Sequence, residues 1–141
     1  GIECRFDYDD TIIIEDMTLA TNLYYIAQEA TVNAAKYSGG TRIDITLKKI
    51  DDYFVLSVRD NGIGLKSQKQ SADSDKRDGM GLKIMKYRAE IIDGTLQIGK
   101  NRPSGTSITV RMPINILKSE GRIYYGGRYS HRQQKIQDIH S

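Results

Sequence analysis

Between Asp16 and Tyr37 the chain runs without a proline or a glycine, and Leu19, Leu23, Ile26, Ala27, Ala30 and Ala34 recur three and four positions apart. Side chains at that spacing fall on one stripe of a 3.6-residue helix, so this stretch predicts an amphipathic helix with one face to bury. Asp16 or Thr18 can cap its first turn, and Gly39-Gly40 ends it. That face needs a partner layer, and the segments on either side of the helix alternate in the way that builds one.

Residues 2–8 alternate apolar with polar side chains, with Ile2, Cys4, Phe6 and Tyr8 on one side, and residues 11–14 are β-branched, which predicts an opening hairpin or strand pair. Residues 42–50 and 53–59 alternate again across an Asp51-Asp52 turn and predict a second hairpin. Residues 66–78 are almost without large apolar side chains and read as a mobile loop. A second helix is expected over 81–92, with Leu82, Met85, Ala89 and Ile92 inward and a stop at Asp93-Gly94. Residues 95–99 and 106–112 form two more strands joined by a turn at Pro103 and Gly105. The order strand, helix, strand, strand, loop, helix, strand, strand predicts a two-layer α/β (α+β) sandwich, its sheet mixed but mostly antiparallel and its helices on one face.

With 141 residues the chain has room for one core, so a single domain over 1–117 is expected, followed by a basic, tyrosine-bearing tail over 118–141 that reads as disordered or a linker. The tail holds five basic residues (Lys118, Arg122, Arg128, Arg132, Lys135) against two acids (Glu120, Asp138), and so carries the whole net charge of +3. The body is therefore no basic nucleic-acid binder, and no nucleic-acid partner is expected. No apolar run approaches the roughly 20 residues of a membrane-spanning helix, so no membrane contact by this segment is expected. Neither a charged-then-apolar leader nor a cleavage site follows Gly1, and a start inside a strand reads as a cut made after an upstream helical domain. Cys4 is the one cysteine, which excludes an internal disulfide and a cysteine metal cluster and fits a reducing, cytoplasmic setting.

Three constellations carry candidate chemistry. Glu29, Asn33 and Lys36 lie four and three residues apart on the long helix, which stacks a carboxylate, an amide and an ammonium on one face. Such a stripe can orient a nucleophile, ligate magnesium and neutralise phosphate; it would equally serve as a solvent-facing surface. Asp60-Asn61-Gly62-Ile63-Gly64 closes a strand, placing a carboxylate at a sheet end with glycines that let the backbone lie against a flat ligand; it is also favourable turn chemistry. Gly79-Met80-Gly81 precedes the second expected helix, where free amides favour an anion, or where a plain hinge would sit. No GxxxxGK[ST] is present, so phosphate binding is not of the P-loop type.

In their order these motifs resemble the catalytic ATP-binding domain of bacterial sensor histidine kinases, within the larger family of gyrase, chaperone and mismatch-repair ATPases. QEATVNAAKYS (residues 28–38) resembles the N box, DNGIG (60–64) the first glycine box, GMGLKIMKYRAEIIDGTL (79–96) the second and SGTSITVRMP (104–113) the closing strand. The resemblance covers roughly residues 1–113 and implies the Bergerat ATP-binding fold. It implies that Glu29 is the base-like residue, Asn33 the magnesium ligand, Lys36 a phosphate contact and Asp60 the adenine acceptor. It further implies that Gly62 and Gly64 turn against the base, that Thr106 assists Asp60 directly or through water, and that Gly79, Gly81 and Leu82 border the nucleotide and its lid over 66–78. The short lid and the GLKIMKYRAE run are most similar to kinases related to nitrate- and lipid-sensing regulators, although Tyr37 stands where that subgroup more often has histidine.

The function implied is the binding of Mg-ATP and donation of its γ-phosphate to a histidine on a separate dimerisation domain upstream, with a response regulator beyond it. His131 and His140 lack an acidic helical neighbour and read as tail residues rather than acceptors. Two alternatives share the motifs: a stand-alone anti-sigma-type serine kinase, and a nucleotide-binding interaction module without catalysis. Arg88 reads as an ion-pair partner, Met85 as core and Met80 as an anchor of the lid.

Overall fold

A computed structural model describes residues 1–64, 75–119 and 122–126 of the chain. Strand β1 (Glu3–Tyr8) leads into helix α1 (Met17–Tyr37), followed by β2 (Arg42–Ile50), β3 (Tyr53–Asp60), helix α2 (Asp75–Ile91), β4 (Thr95–Lys100) and β5 (Thr106–Pro113). The five strands form one sheet in the order β1-β2-β3-β5-β4, with β1 parallel to β2 and the other pairs antiparallel. The mixed, mostly antiparallel sheet and the helical layer are as the sequence predicts.

Asp16 caps α1, its Oδ1 accepting from the amides of Thr18 (2.9 Å) and Leu19 (3.2 Å). The buried stripe of α1 is Leu19, Leu23, Ile26, Ala30 and Ala34, joined by Asn22. It meets Phe54, Leu56 and Val58 of β3, Ile108, Val110 and Met112 of β5 and Met85, Ala89 and Ile92 of the second helical segment in one core. Burying a Leu- or Phe-sized side chain is worth about 1.5–3 kcal/mol, which is what fixes the helices to the sheet. The Asp51-Asp52 hairpin forms as expected, with Asp51 at φ 53°.

Two expectations are corrected. The opening hairpin does not form: β1 pairs in parallel with β2, Glu3 opposite Arg42 and Tyr8 opposite Leu47. Asp9 turns the chain off the sheet, accepting from the amide and hydroxyl of Thr11 (3.0 and 2.6 Å), and the β-branched run becomes a connection whose Ile12 and Ile14 pack on the core. A strand that hands over to a helix and returns beside itself must pair in parallel.

The second helix begins at Asp75 rather than Gly81, so Gly79 and Gly81 lie inside it and no helix N-terminus stands at the GMG turn. Residues 75–78 of the expected loop are thus helical, and the remainder of the lid expected over 66–78 lies outside the described residues. Interior glycine costs a helix about 0.5–1 kcal/mol relative to alanine, a cost offset here by packing along α1. Beyond β5, two antiparallel strands, β6 (Asn115–Ser119) and β7 (Arg122–Gly126), form a second sheet that runs across positions 117 and 118. Residues 127–141 lie outside the described residues.

Candidate functional site

Asp60 ends β3, where the strand stops pairing with β2, and its carboxylate is 5 % exposed. Its Oδ1 accepts from the amides of Gly62 (2.9 Å) and Thr106 (3.2 Å), so among the described residues every hydrogen bond to this carboxylate falls on one oxygen. Among the described residues the Thr106 hydroxyl, on a residue 4 % exposed, has no hydrogen-bond partner. A buried hydroxyl without a partner costs about 1–3 kcal/mol, and groups of this kind mark places where a ligand or water completes the structure.

The turn around Asp60 is seated on backbone. A Cβ at Gly105 (φ 110°) would overlap the Asp60 carbonyl, and one at Gly62 would overlap the Ser38 carbonyl. Ser38 caps the C-terminus of α1, and its carbonyl accepts from the Ile63 amide at 2.8 Å. Asn101 completes the seat, its Nδ2 donating to the Asp60 carbonyl at 2.8 Å. Gly64 adopts φ 86°, a left-handed conformation that favours glycine. Gly105, Ser38 and Asn101 were not singled out from the sequence. The glycine before a strand in the SGT stretch was the one readable sign of them, since Asn and Ser at turns are ordinary.

The polar stripe of α1 lies against the second helix. Asn22 and Tyr25 meet Arg88, while Glu29 and Asn33 meet Gly81, so α1 and α2 run antiparallel. A Cβ at Gly81 would stand 2.6 Å from Glu29 Oε1 and 3.1 Å from Asn33 Nδ2. The absent side chain is what brings α2 onto these two groups. Lys36 is exposed in the last turn of α1, a turn away from the Asp60 loop. Among the described residues the side chains of Glu29, Asn33 and Lys36 make no hydrogen bond or ion pair with protein.

Leu82 is half-buried and packs on the core, the inward placement expected of it. Arg88 pairs with no carboxylate among the described residues; it stacks over the Tyr25 ring at 4.4 Å and donates to Asn22 Oδ1 at 3.3 Å. Met85 is fully buried core, and Met80 is exposed.

Residues 18–116 match the family described as histidine kinase-, DNA gyrase B- and HSP90-like ATPases. The chain belongs to that ATPase family. Among curated relatives, the sensor protein VraS of Staphylococcus aureus is 37 % identical over 94 residues, which is 67 % of this chain and 26 % of the relative. The oxygen sensor histidine kinase NreB of Staphylococcus carnosus is 33 % identical over 99 residues, 70 % of this chain and 27 % of its own. The chain thus spans about a quarter of the length of these relatives. In fold it is similar to the histidine kinase domain of the Erythrobacter litoralis blue-light activated kinase (TM-score 0.63, 15 % identity, 79 % of this chain and 54 % of that one). It is also similar to full-length ShkA, solved in complex with AMPPNP (TM-score 0.60, 20 % identity, 90 % of this chain and 26 % of that one). These likenesses carry the fold alone; among the described residues no helix is long and apolar enough to cross a membrane.

Proposed function

We propose that this domain binds Mg-ATP and donates the γ-phosphate to a histidine on a separate dimerisation domain of a two-component sensor kinase acting in the cytoplasm, from which a response regulator is then served. The observation that carries the reading is the buried Asp60, its carboxylate fixed through Oδ1, beside the Thr106 hydroxyl; among the described residues neither Oδ2 nor that hydroxyl has a hydrogen-bond partner. That pair suits a flat ligand offering one N–H donor and one further polar group, as the adenine edge does. Gly62 and Gly64 lie along the base, and Gly79 and Gly81 border the phosphates from the second helix.

The phosphate end falls to α1. Gly79 and Gly81 lie inside α2 rather than at its N-terminus, so they offer the phosphates no first-turn amides. Charge neutralisation falls to Lys36 and to magnesium. The half-buried Asn33 amide, with no protein partner among the described residues, fits a magnesium site of the kind that uses one or two protein oxygens with phosphates and water. When bound, magnesium would draw charge from the β- and γ-phosphate oxygens. In the transfer, the acceptor imidazole nitrogen attacks the γ-phosphorus, the bond to the β-phosphate oxygen breaks, ADP leaves and Glu29 takes the imidazole proton. Positioning and charge supply most of the rate in phosphoryl transfer, which suits a site with so few reactive groups. The relatives' names, one a sensor protein and one a sensor histidine kinase, favour histidine over serine as acceptor.

Calorimetry of ATP binding with and without magnesium tests the reading. Asp60→Ala should lower affinity about 10- to 100-fold, the worth of a hydrogen bond to a charged group. Asn33→Ala should abolish the gain from magnesium and leave metal-free binding as it was. A folded wild type that takes up no ATP overturns the proposal.

A further inference from the structure

Asn61 is exposed, yet each of its polar groups is engaged. Its Oδ1 accepts from the amides of Thr41 (2.8 Å) and Arg42 (2.9 Å), and its Nδ2 donates to Thr41 Oγ1 (3.0 Å). Its own amide donates to the Arg42 carbonyl and its carbonyl accepts from Ser104 Oγ, both at 3.2 Å. Two backbone donors converging on one atom require an acceptor there, which fixes the orientation of the side-chain amide. Gly40 makes the approach possible, since a Cβ there would stand 2.6 Å from Asn61 Oδ1.

These bonds join three pieces of chain. Thr41 and Arg42 lead out of α1 into β2, Asn61 stands between Asp60 and Gly62, and Ser104 precedes the glycine on which Asp60 is seated. The Asp60 carboxylate takes the Gly62 and Thr106 amides and its carbonyl the Asn101 side chain, none of them a bond made by the Asn61 side chain. We infer that Asn61 is a positioning residue that locks the base-reading carboxylate to the end of the helix bearing Glu29, Asn33 and Lys36, so that base selectivity and phosphate binding share one geometry. The inference rests on the reading of Asp60 as the adenine acceptor.

The test compares ATP with inosine triphosphate, in which a carbonyl replaces the exocyclic amino donor, on the wild-type chain, Asn61→Ala and Asn61→Asp. Wild type should prefer ATP. Asn61→Ala should lose about tenfold or more in ATP affinity, as expected for one misplaced charged hydrogen bond, and little in affinity for the inosine nucleotide. Asn61→Asp, whose carboxylate accepts the same two amides, should restore most of the preference. A folded Asn61→Ala that keeps the wild-type ratio overturns the inference, as does an Asn61→Asp no better than alanine. If Asn61→Ala does not fold, hydrogen exchange in the unaltered chain decides: ATP should slow the Thr41 and Arg42 amides more than the inosine nucleotide does, and equal slowing overturns it. A wild type indifferent to the two nucleotides defeats the adenine reading itself, a different result from either.

Discussion

Around Asp60 the polar groups are held by backbone, with the carboxylate pinned by two amides, its carbonyl by Asn101 and its seat made of Gly105. Along α1 the polar groups are held by little more than helical spacing, and Glu29 and Asn33 touch α2 only where Gly81 lacks a side chain. One end of the site is preorganised and the other adjustable. The contrast follows from the two tasks: a base is read by fixed direction, whereas phosphates and a metal are accommodated by charge on side chains that can move.

Alanine at two glycines should break the contrast most visibly. Gly105→Ala meets immovable backbone at a positive φ and should cost about 1–3 kcal/mol of stability together with most of the ATP affinity. Gly81→Ala meets only the ends of two side chains inside a helix, where alanine gains about 0.5–1 kcal/mol over glycine. It should therefore leave the melting temperature level or higher while ATP affinity falls. Parallel thermal melts and calorimetry separate the two; equal losses of stability would erase the distinction drawn here.

Thr106→Val sharpens the point at smaller scale. Its hydroxyl has no partner to lose among the described residues, so denaturant titration should find stability unchanged or raised by up to about 1 kcal/mol, and ATP binding weakened about tenfold, the worth of one hydrogen bond.

The smallest effect lies outside the site. The Thr11 hydroxyl and amide hold the Asp9 carboxyl below its ordinary range. A carboxyl so lowered adds stability above its unfolded pKa and loses it as pH falls through the folded value. Thr11→Val should thus be less stable than wild type at neutral pH, and the two should converge in acid, as equilibrium unfolding across pH would record.

What was legible in the sequence was whatever repeats locally. The spacing of Leu19, Leu23 and Ile26 named α1, and the alternation on both sides of Asp51-Asp52 named the β2–β3 hairpin. The partner of β1 was not legible, because alternation states that a strand has two faces and not whose edge it meets. The start of α2 was hidden by two glycines and a polar run that tertiary packing overrides. Glu29, Asn33, Asp60 and Thr106 were readable as motif letters with roles. Asn61 and Gly105 stood in the same motifs, but their roles were not legible, since they depend on contacts to Thr41 and Asp60, some 20 and 45 residues away in the chain.

The parallel pairing of β1 with β2 also sets an order of events. β2–β3 closes over a two-residue turn, and β4–β5 over the short loop of Asn101 to Gly105. Joining Glu3 to Arg42 instead requires the whole of α1 to be in place first, and ordering so long a loop is the slow part of building such a sheet. Among the described residues β1 has one neighbouring strand, and it is exposed along its whole length. It is therefore the strand that joins last during folding, and its amides are the ones whose exchange with solvent should report the first loosening of the domain.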